Sequence, residues 1–295
     1  LNFTKAVSTL AHILERDPTN IEANLQMAEI LMMRRSFNDG RAYFHKVRNL
    51  DSNNYRANLG LGQYYLYTRL YRQAILFLKV AANVATPDKK GEALQMLANA
   101  YLQAKELKQA EVTCEEAVRV DAENAGLVRT YIVVLLDMGE YEKARQQTMR
   151  YVDIRRREAQ MASNERNAVR EYSAAIDLLI EVLGRLHNSL HKKNARGEVT
   201  DQVLDGKEVE TAQVLDAIVT ARMRQLPIVK VLSMMEVLPL AQRATQLDPG
   251  KADYFFTLGM AQFEAGLVRD AADSVAQAAR LAPENASYRE QAQRL

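Results

Sequence analysis

The sequence predicts an all-α fold, a solenoid of stacked helical hairpins, and three observations carry that reading. Small or core residues recur in register: Ala6, Gly40, Ala74, Ala110 and Ala144 stand 34, 34, 36 and 34 residues apart, and Ile13, Val47, Ala81, Ala117 and Tyr151 repeat the same intervals. A second small position, Ala28, Gly62 and Ala98, falls on a companion helix. Around these positions apolar residues take helical spacing, as with Leu94, Leu97 and Tyr101, so that one stripe faces a neighbour. Two helices cross closely where small residues meet, which makes each interval one αα-hairpin. A solenoid grows by adding such units, so the length of 295 residues sets no domain count by itself.

Taken in order, Leu1 to Asn20 reads as the second half of a hairpin, with Ala6, Leu10 and Ile13 on its inner face. Asp17-Pro18-Thr19-Asn20 closes it, because proline stops a helix and asparagine caps the next. The sequence opens at Leu1 without a methionine, inside this half-unit, so a segment upstream is expected. Ile21 to Asn54 carries Met27, Ala28 and Leu31, then Phe37, Gly40, Phe44 and Val47. Tyr55 to about Lys89 carries Leu61, Gly62 and Tyr65, then Tyr71, Ala74, Leu78 and Ala81, and its two extra residues near Thr86-Pro87-Asp88 read as a lengthened turn. Lys90 to Asn124 follows, and Ala125 to about Arg155 ends the run with Ile132 in place of the small residue.

Beyond Arg155 the rhythm breaks. Neither glycine nor proline stands between Glu140 and Leu183, which predicts a long helix that Ser163-Asn164 could cap and divide. Val169, Tyr172, Ile176, Leu179, Leu183, Leu186 and Leu190 alternate by three and four, a heptad-like seam. The polar stretch Asn194 to Gly206 reads as a loop, and Glu208 to Gln225, ended by Pro227, as an amphipathic helix folding back over the seam. Ile228, Val231, Leu232 and Leu238 form an apolar stretch in which Pro239 should kink a helix or start a new one. The rhythm returns at Asp248-Pro249: Phe255, Leu258, Gly259 and Phe263, then Ala271, Val275 and Ala278, rebuild a hairpin between prolines 34 residues apart. Glu284 to Leu295 reads as a polar terminal helix. The expected organisation is a repeat solenoid over 1–155, half a unit plus about four; a helical-hairpin insertion over 156–227; and a C-terminal helix, final repeat and polar capping helix over 228–295.

The core of the Lys90 to Asn124 unit, Ala93-Leu94-Gln95-Met96-Leu97-Ala98-Asn99-Ala100-Tyr101 followed by Ala110, Cys114 and Ala117, resembles one tetratricopeptide repeat. The likeness extends over about Leu1 to Arg155 and Leu247 to Leu295; Leu61-Gly62 with Tyr65 is its clearest first-helix match, and Phe263 lies one residue past the usual aromatic position. The resemblance implies first helices that line a concave groove for a protein partner. Carried over by position, the groove residues are Leu25, Glu29 and Met33; Leu59, Gln63 and Tyr67; Gln95, Asn99 and Gln103; and Arg129, Val133 and Asp137, with Tyr64 also expected to face a ligand. Members that clamp a terminal carboxylate use Lys, Asn and Arg at such sites. Here Glu29 and Leu25 stand where donors are needed and only Asn99 and Arg129 fit, which argues against an adaptor for chaperone tails.

Charge and composition exclude other classes. With 39 Lys+Arg against 37 Asp+Glu the formal charge is +2, without the basic field that nucleic acid or an anionic membrane surface would need. No stretch approaches the ~18 consecutive apolar residues of a membrane span. The single cysteine, Cys114, takes a core position and allows no intrachain disulfide. No nucleophile with an adjacent base, glycine-rich phosphate loop or paired catalytic carboxylate stands out, so no catalytic residue, cofactor or metal is assigned. His187 and His191, four apart, lack a third ligand and read as a solvated or interface pair. Arg155-Arg156-Arg157, interspersed with Asp153 and Glu158, reads as a solvated face.

The expected function is a non-catalytic scaffold or assembly factor for protein partners. The groove would bind through Glu29, Met33, Gln63, Tyr67, Asn99, Gln103 and Arg129, and the inserted helices through Ile176, Leu179, Leu183, Leu186 and Leu190. The alternative is a regulatory or targeting module of a longer enzyme. Either reading accommodates an oligomer or larger complex and a soluble protein of cytoplasm or periplasm.

Overall fold

The computed structural model describes residues 3–162, 166–225 and 234–295. Among them are fifteen helices and one two-stranded sheet, an all-α solenoid. The chain divides into two compact units, Leu1–Gly139 and Glu140–Leu295.

In the first unit α1 (Phe3–Arg16) is followed by the pairs α2 (Ile21–Met33) and α3 (Phe37–Leu50), α4 (Tyr55–Tyr67) and α5 (Tyr71–Val84), α6 (Pro87–Gln103) and α7 (Leu107–Val120), and then by α8 (Ala125–Met138). Each helix packs on the next. Small residues set the crossings: Ala28, Ala74, Ala81, Ala98 and Ala110 have no exposed surface. A Cβ on Gly62 would stand 2.4 Å from Leu78 Cδ2, so α4 and α5 approach more closely than any larger side chain permits.

The turns between pairs are built from asparagine. Asn20, Asn54 and Asn124 cap α2, α4 and α8, each side chain accepting from a backbone amide of the first turn. One turn further on, Asn24 and Asn58 are fully buried and donate backward to the turn carbonyls, Asn58 to Ser52 O at 2.9 Å and to Asn54 O at 2.8 Å. Inside the pairs the chain turns through left-handed residues, Arg35, Arg69 and Lys105, at φ 63°, 60° and 61°. The two extra residues near Thr86 lengthen a helix, not a turn. Pro87 starts α6, where its missing amide costs nothing, and Asp88 complements the positive end of the helix.

The second unit begins with α9 (Tyr141–Met161), after which α10 (Arg166–Ser189), α11 (Glu208–Gln225), α12 (Met234–Leu247), α13 (Ala252–Glu264), α14 (Val268–Leu281) and α15 (Ala286–Arg294) follow, each of these six packed on the helix before it. The Ser163-Asn164 cap, Pro227, Ile228, Val231 and Leu232 lie outside the described residues. Pro239 falls inside α12, which begins upstream of it. The expected loop at 194–206 is instead largely a hairpin, β1 (His191–Lys193) pairing antiparallel with β2 (Val199–Val203). Asn194 Oδ1 accepts from the amides of Arg196 and Glu198, both at 2.9 Å, and Gly197 takes φ 79°. Val199, Thr200 and Val203 then supply the β-branched side chains that extended backbone favours. The crossing of α13 and α14 repeats the close approach, with a Gly259 Cβ only 2.5 Å from Val275 Cγ2. Gln262 is buried, accepting from Ser274 Oγ at 2.7 Å, while Phe263 is 42% exposed, so the displaced aromatic points out of the core.

Candidate protein-binding surface

Residues four apart share a helix face, which places Gln63 and Tyr67 together on α4 and Asn99 and Gln103 together on α6. Tyr67, Asn99 and Gln103 meet Leu66, Arg69 and Tyr71 around an open hollow of about 400 Å³. Phe37 packs its ring 4.1 Å from that of Tyr67 at 34°, yet Tyr67 stays 63% exposed. The phenol is thus held by one neighbour with much of its surface left for another. Gln63 turns its amide nitrogen to within 3.8 Å of Met96 Sδ, and Gln95 reaches Thr130 Oγ1 at 3.4 Å. Amides, hydroxyls and an aromatic face together offer donors, acceptors and apolar contact to a peptide backbone and its side chains.

Several expected groove residues are engaged elsewhere. Arg56 grips Glu29 with Nε and Nη2, each 2.9 Å from a carboxylate oxygen, and its Nη1 donates to Glu22 at 2.7 Å. Hydrogen bonds from Arg56, and then from Gln26, hold the Glu22 carboxyl below its ordinary range. Leu25 and Leu59 are buried, and so is Tyr64, whose hydroxyl donates to Asn38 Oδ1 at 2.8 Å. Each first helix has neighbours on more than one side, so its buried arc is wider than a single stripe. Met33 is exposed, Arg129 is exposed with no ion pair among the described residues, and Asp137 meets Lys105 at 3.0 Å.

In the second unit α9 and α11 pack against α10, and Ile176, Leu179, Leu183 and Leu190 are buried there while Leu186 is half-buried. Leu179, Leu183, Leu186 and Leu190 line two adjoining hollows of about 210 and 310 Å³. His191 lies in β1, not on the helix, and is buried, its Nδ1 2.8 Å from His187 O. The two rings stand 4.2 Å apart, and burial pushes the His187 imidazole down, so the pair is not a solvated one. Arg155 lies over the Tyr151 ring and pairs with Glu158 at 2.8 Å, and Arg156 pairs with Asp153 at 3.1 Å. Burial pushes the Cys114 thiol up to about 12, which keeps it unreactive. Among the described residues no three His, Cys, Asp or Glu side chains gather around a metal position, and no helix is long and apolar enough to cross a membrane.

Residues 91–124 match the family model of the tetratricopeptide repeat. No curated protein matches the sequence significantly. Solved structures share the fold. PilW, described as a widely conserved type IV pilus biogenesis factor, is 12% identical over 81% of this chain and 90% of its own, with a TM-score of 0.53. The pilF protein of Pseudomonas aeruginosa is 18% identical over 90% of each chain, TM-score 0.51. A tetratricopeptide repeat protein from Parabacteroides merdae is 9% identical over 99% of this chain and 91% of that one, TM-score 0.50. At these identities the likeness is one of fold alone.

Proposed function

We propose that this chain, a tetratricopeptide-repeat protein, is a non-catalytic scaffold that holds an extended segment of a partner protein on the face formed by Gln63, Tyr67, Asn99 and Gln103. The observation that carries this reading is the hollow in which Tyr67 of one repeat and Asn99 and Gln103 of the next converge. The amides pair with the backbone of the segment, the uncovered part of the Tyr67 ring packs one of its side chains, and Arg69 at the rim receives a carbonyl or carboxylate. Because packed helices hold these groups in place, little ordering cost falls on the scaffold when the segment arrives. Met33 and Arg129 extend the same face, and presenting a bound segment to a further protein is the work of an assembly factor.

The test begins by identifying a partner through affinity capture with the wild-type chain and mass spectrometry. Replacing Gln63, Tyr67 and Asn99 together with alanine should then abolish that capture while helicity by circular dichroism is unchanged. Undiminished capture by the folded triple variant would place the binding surface elsewhere.

A further inference from the structure

We propose that the second unit carries a separate docking site, the apolar hollow between α9, α10 and α11, and that its occupant is a leucine-type segment of a partner protein bearing one lysine or arginine that pairs with Asp216. The floor is apolar: Leu179, Leu183 and Leu186 come from α10, and Ala217 of α11 borders both adjoining hollows. Met149 on α9 stands at the edge, 48% exposed. The α11 wall runs from Glu210 to Arg224, which at ~1.5 Å per residue is about 21 Å, room for about six extended residues.

Charge decides what this floor accepts. The lining holds the carboxylates Glu142, Asp153, Glu210 and Asp216 against the cations Arg145 and Arg224. Three of the carboxylates are answered within the chain, Glu142 by Arg145 at 2.6 Å, Asp153 by Arg156 at 3.1 Å and Glu210 by Lys207 at 2.8 Å. Asp216 has no ion pair among the described residues, and its Oδ1 is buried without a hydrogen-bond partner. Burial pushes this carboxyl above its ordinary range, the Thr257 hydroxyl only partly offsets that, and the Asp253 charge adds to it. A half-buried carboxylate met by one hydroxyl and no opposite charge is costly, and a cation brought by an occupant reduces that cost. Arg224 lies two helical turns further along α11, about 12 Å away, too far to take that place and suited to an acidic residue at the other end of the same segment. The site is independent of the face around Tyr67.

A random twelve-residue peptide display library, panned on the full chain and counter-panned on Ala217→Trp, tests this directly. Peptides held by the wild type and released by Ala217→Trp should carry a lysine or arginine among leucine, isoleucine, methionine or phenylalanine. Asp216→Asn should weaken the same peptides about tenfold, the loss of one well-placed charge pair. Asp216→Asn removes a charge and almost no volume, so it decides the question even where Ala217→Trp fails to fold. Recovery of no peptide sensitive to Ala217→Trp, recovery of sensitive peptides that lack a cation, or unchanged affinity on Asp216→Asn would each overturn the proposal.

Discussion

Alanine at Gly62 probes the closeness of helix crossing on which the repeat depends. The added methyl would stand 2.4 Å from Leu78 Cδ2 and 2.5 Å from its Cγ, where non-bonded carbons settle at about 3.5–4.0 Å. Leu78 has no exposed surface and so no open side toward which to retreat. Forcing the crossing apart costs about 1–3 kcal/mol, against about 0.5–1 kcal/mol that alanine gains over glycine within a helix. The net expectation is a loss of about 1–2 kcal/mol, or a thermal midpoint lower by about 2–8 °C. Gly184 in α10 is the control, since its Cβ would meet no described heavy atom within 4 Å. Gly184→Ala therefore keeps only the propensity gain and should raise the midpoint. Leu78→Val, which lacks the Cδ atoms, should cost less beside Gly62→Ala than the two single changes add up to. Melting followed by circular dichroism reads the wild type and the four variants, and shifts of the same sign at Gly62 and Gly184 would refute the packing argument.

Three further changes probe other parts of the structure. Ala117→Leu overpacks a position only 2% exposed and should cost about 1–3 kcal/mol in urea unfolding. Asn58→Ala strips the turn carbonyls of Ser52 and Asn54 of their donor and should also cost about 1–3 kcal/mol, whereas the same change at exposed Asn53 should be nearly silent. Asp216→Asn should raise the thermal midpoint at neutral pH. A carboxyl raised in the folded state binds its proton more tightly there than in the unfolded chain, so wild-type stability falls as pH rises through that window. The advantage of the asparagine should accordingly shrink on acidification below the ordinary carboxylate range.

The repeat was legible because its determinants are local and periodic. A small residue at positions 28, 62 and 98, or an asparagine at the end of a turn, acts through its own backbone and its nearest helix, so spacing alone locates it. Residues that act across repeats were harder to read. Glu29, expected on the groove, is tied to Arg56 of the next first helix, and Tyr64 looked exposed and is buried against Asn38. Both depend on partners more than twenty residues away, whose reach no helical period encodes. The β-hairpin was hidden by the polarity of its sequence, although Asn194 and Gly197 before Val199-Thr200 supply the turn and the extended backbone. The convergence of Tyr67 with Asn99 and Gln103 followed from register, because equivalent faces of successive first helices stand side by side. Asp216 carried no sequence signal, since what marks it is a buried carboxylate oxygen with no opposite charge beside it.

The most direct test of the scaffold account is site-specific photocrosslinking in the cells that make the protein. A benzophenone amino acid is introduced in turn at Tyr67, Asn99 and Gln103, and at Leu76 and Val112, which are 64% and 56% exposed on the second helices α5 and α7. The account predicts adducts to the same partner polypeptide from Tyr67, Asn99 and Gln103 and none from Leu76 or Val112. Adducts confined to Leu76 and Val112, or formed equally at all five positions, would contradict it.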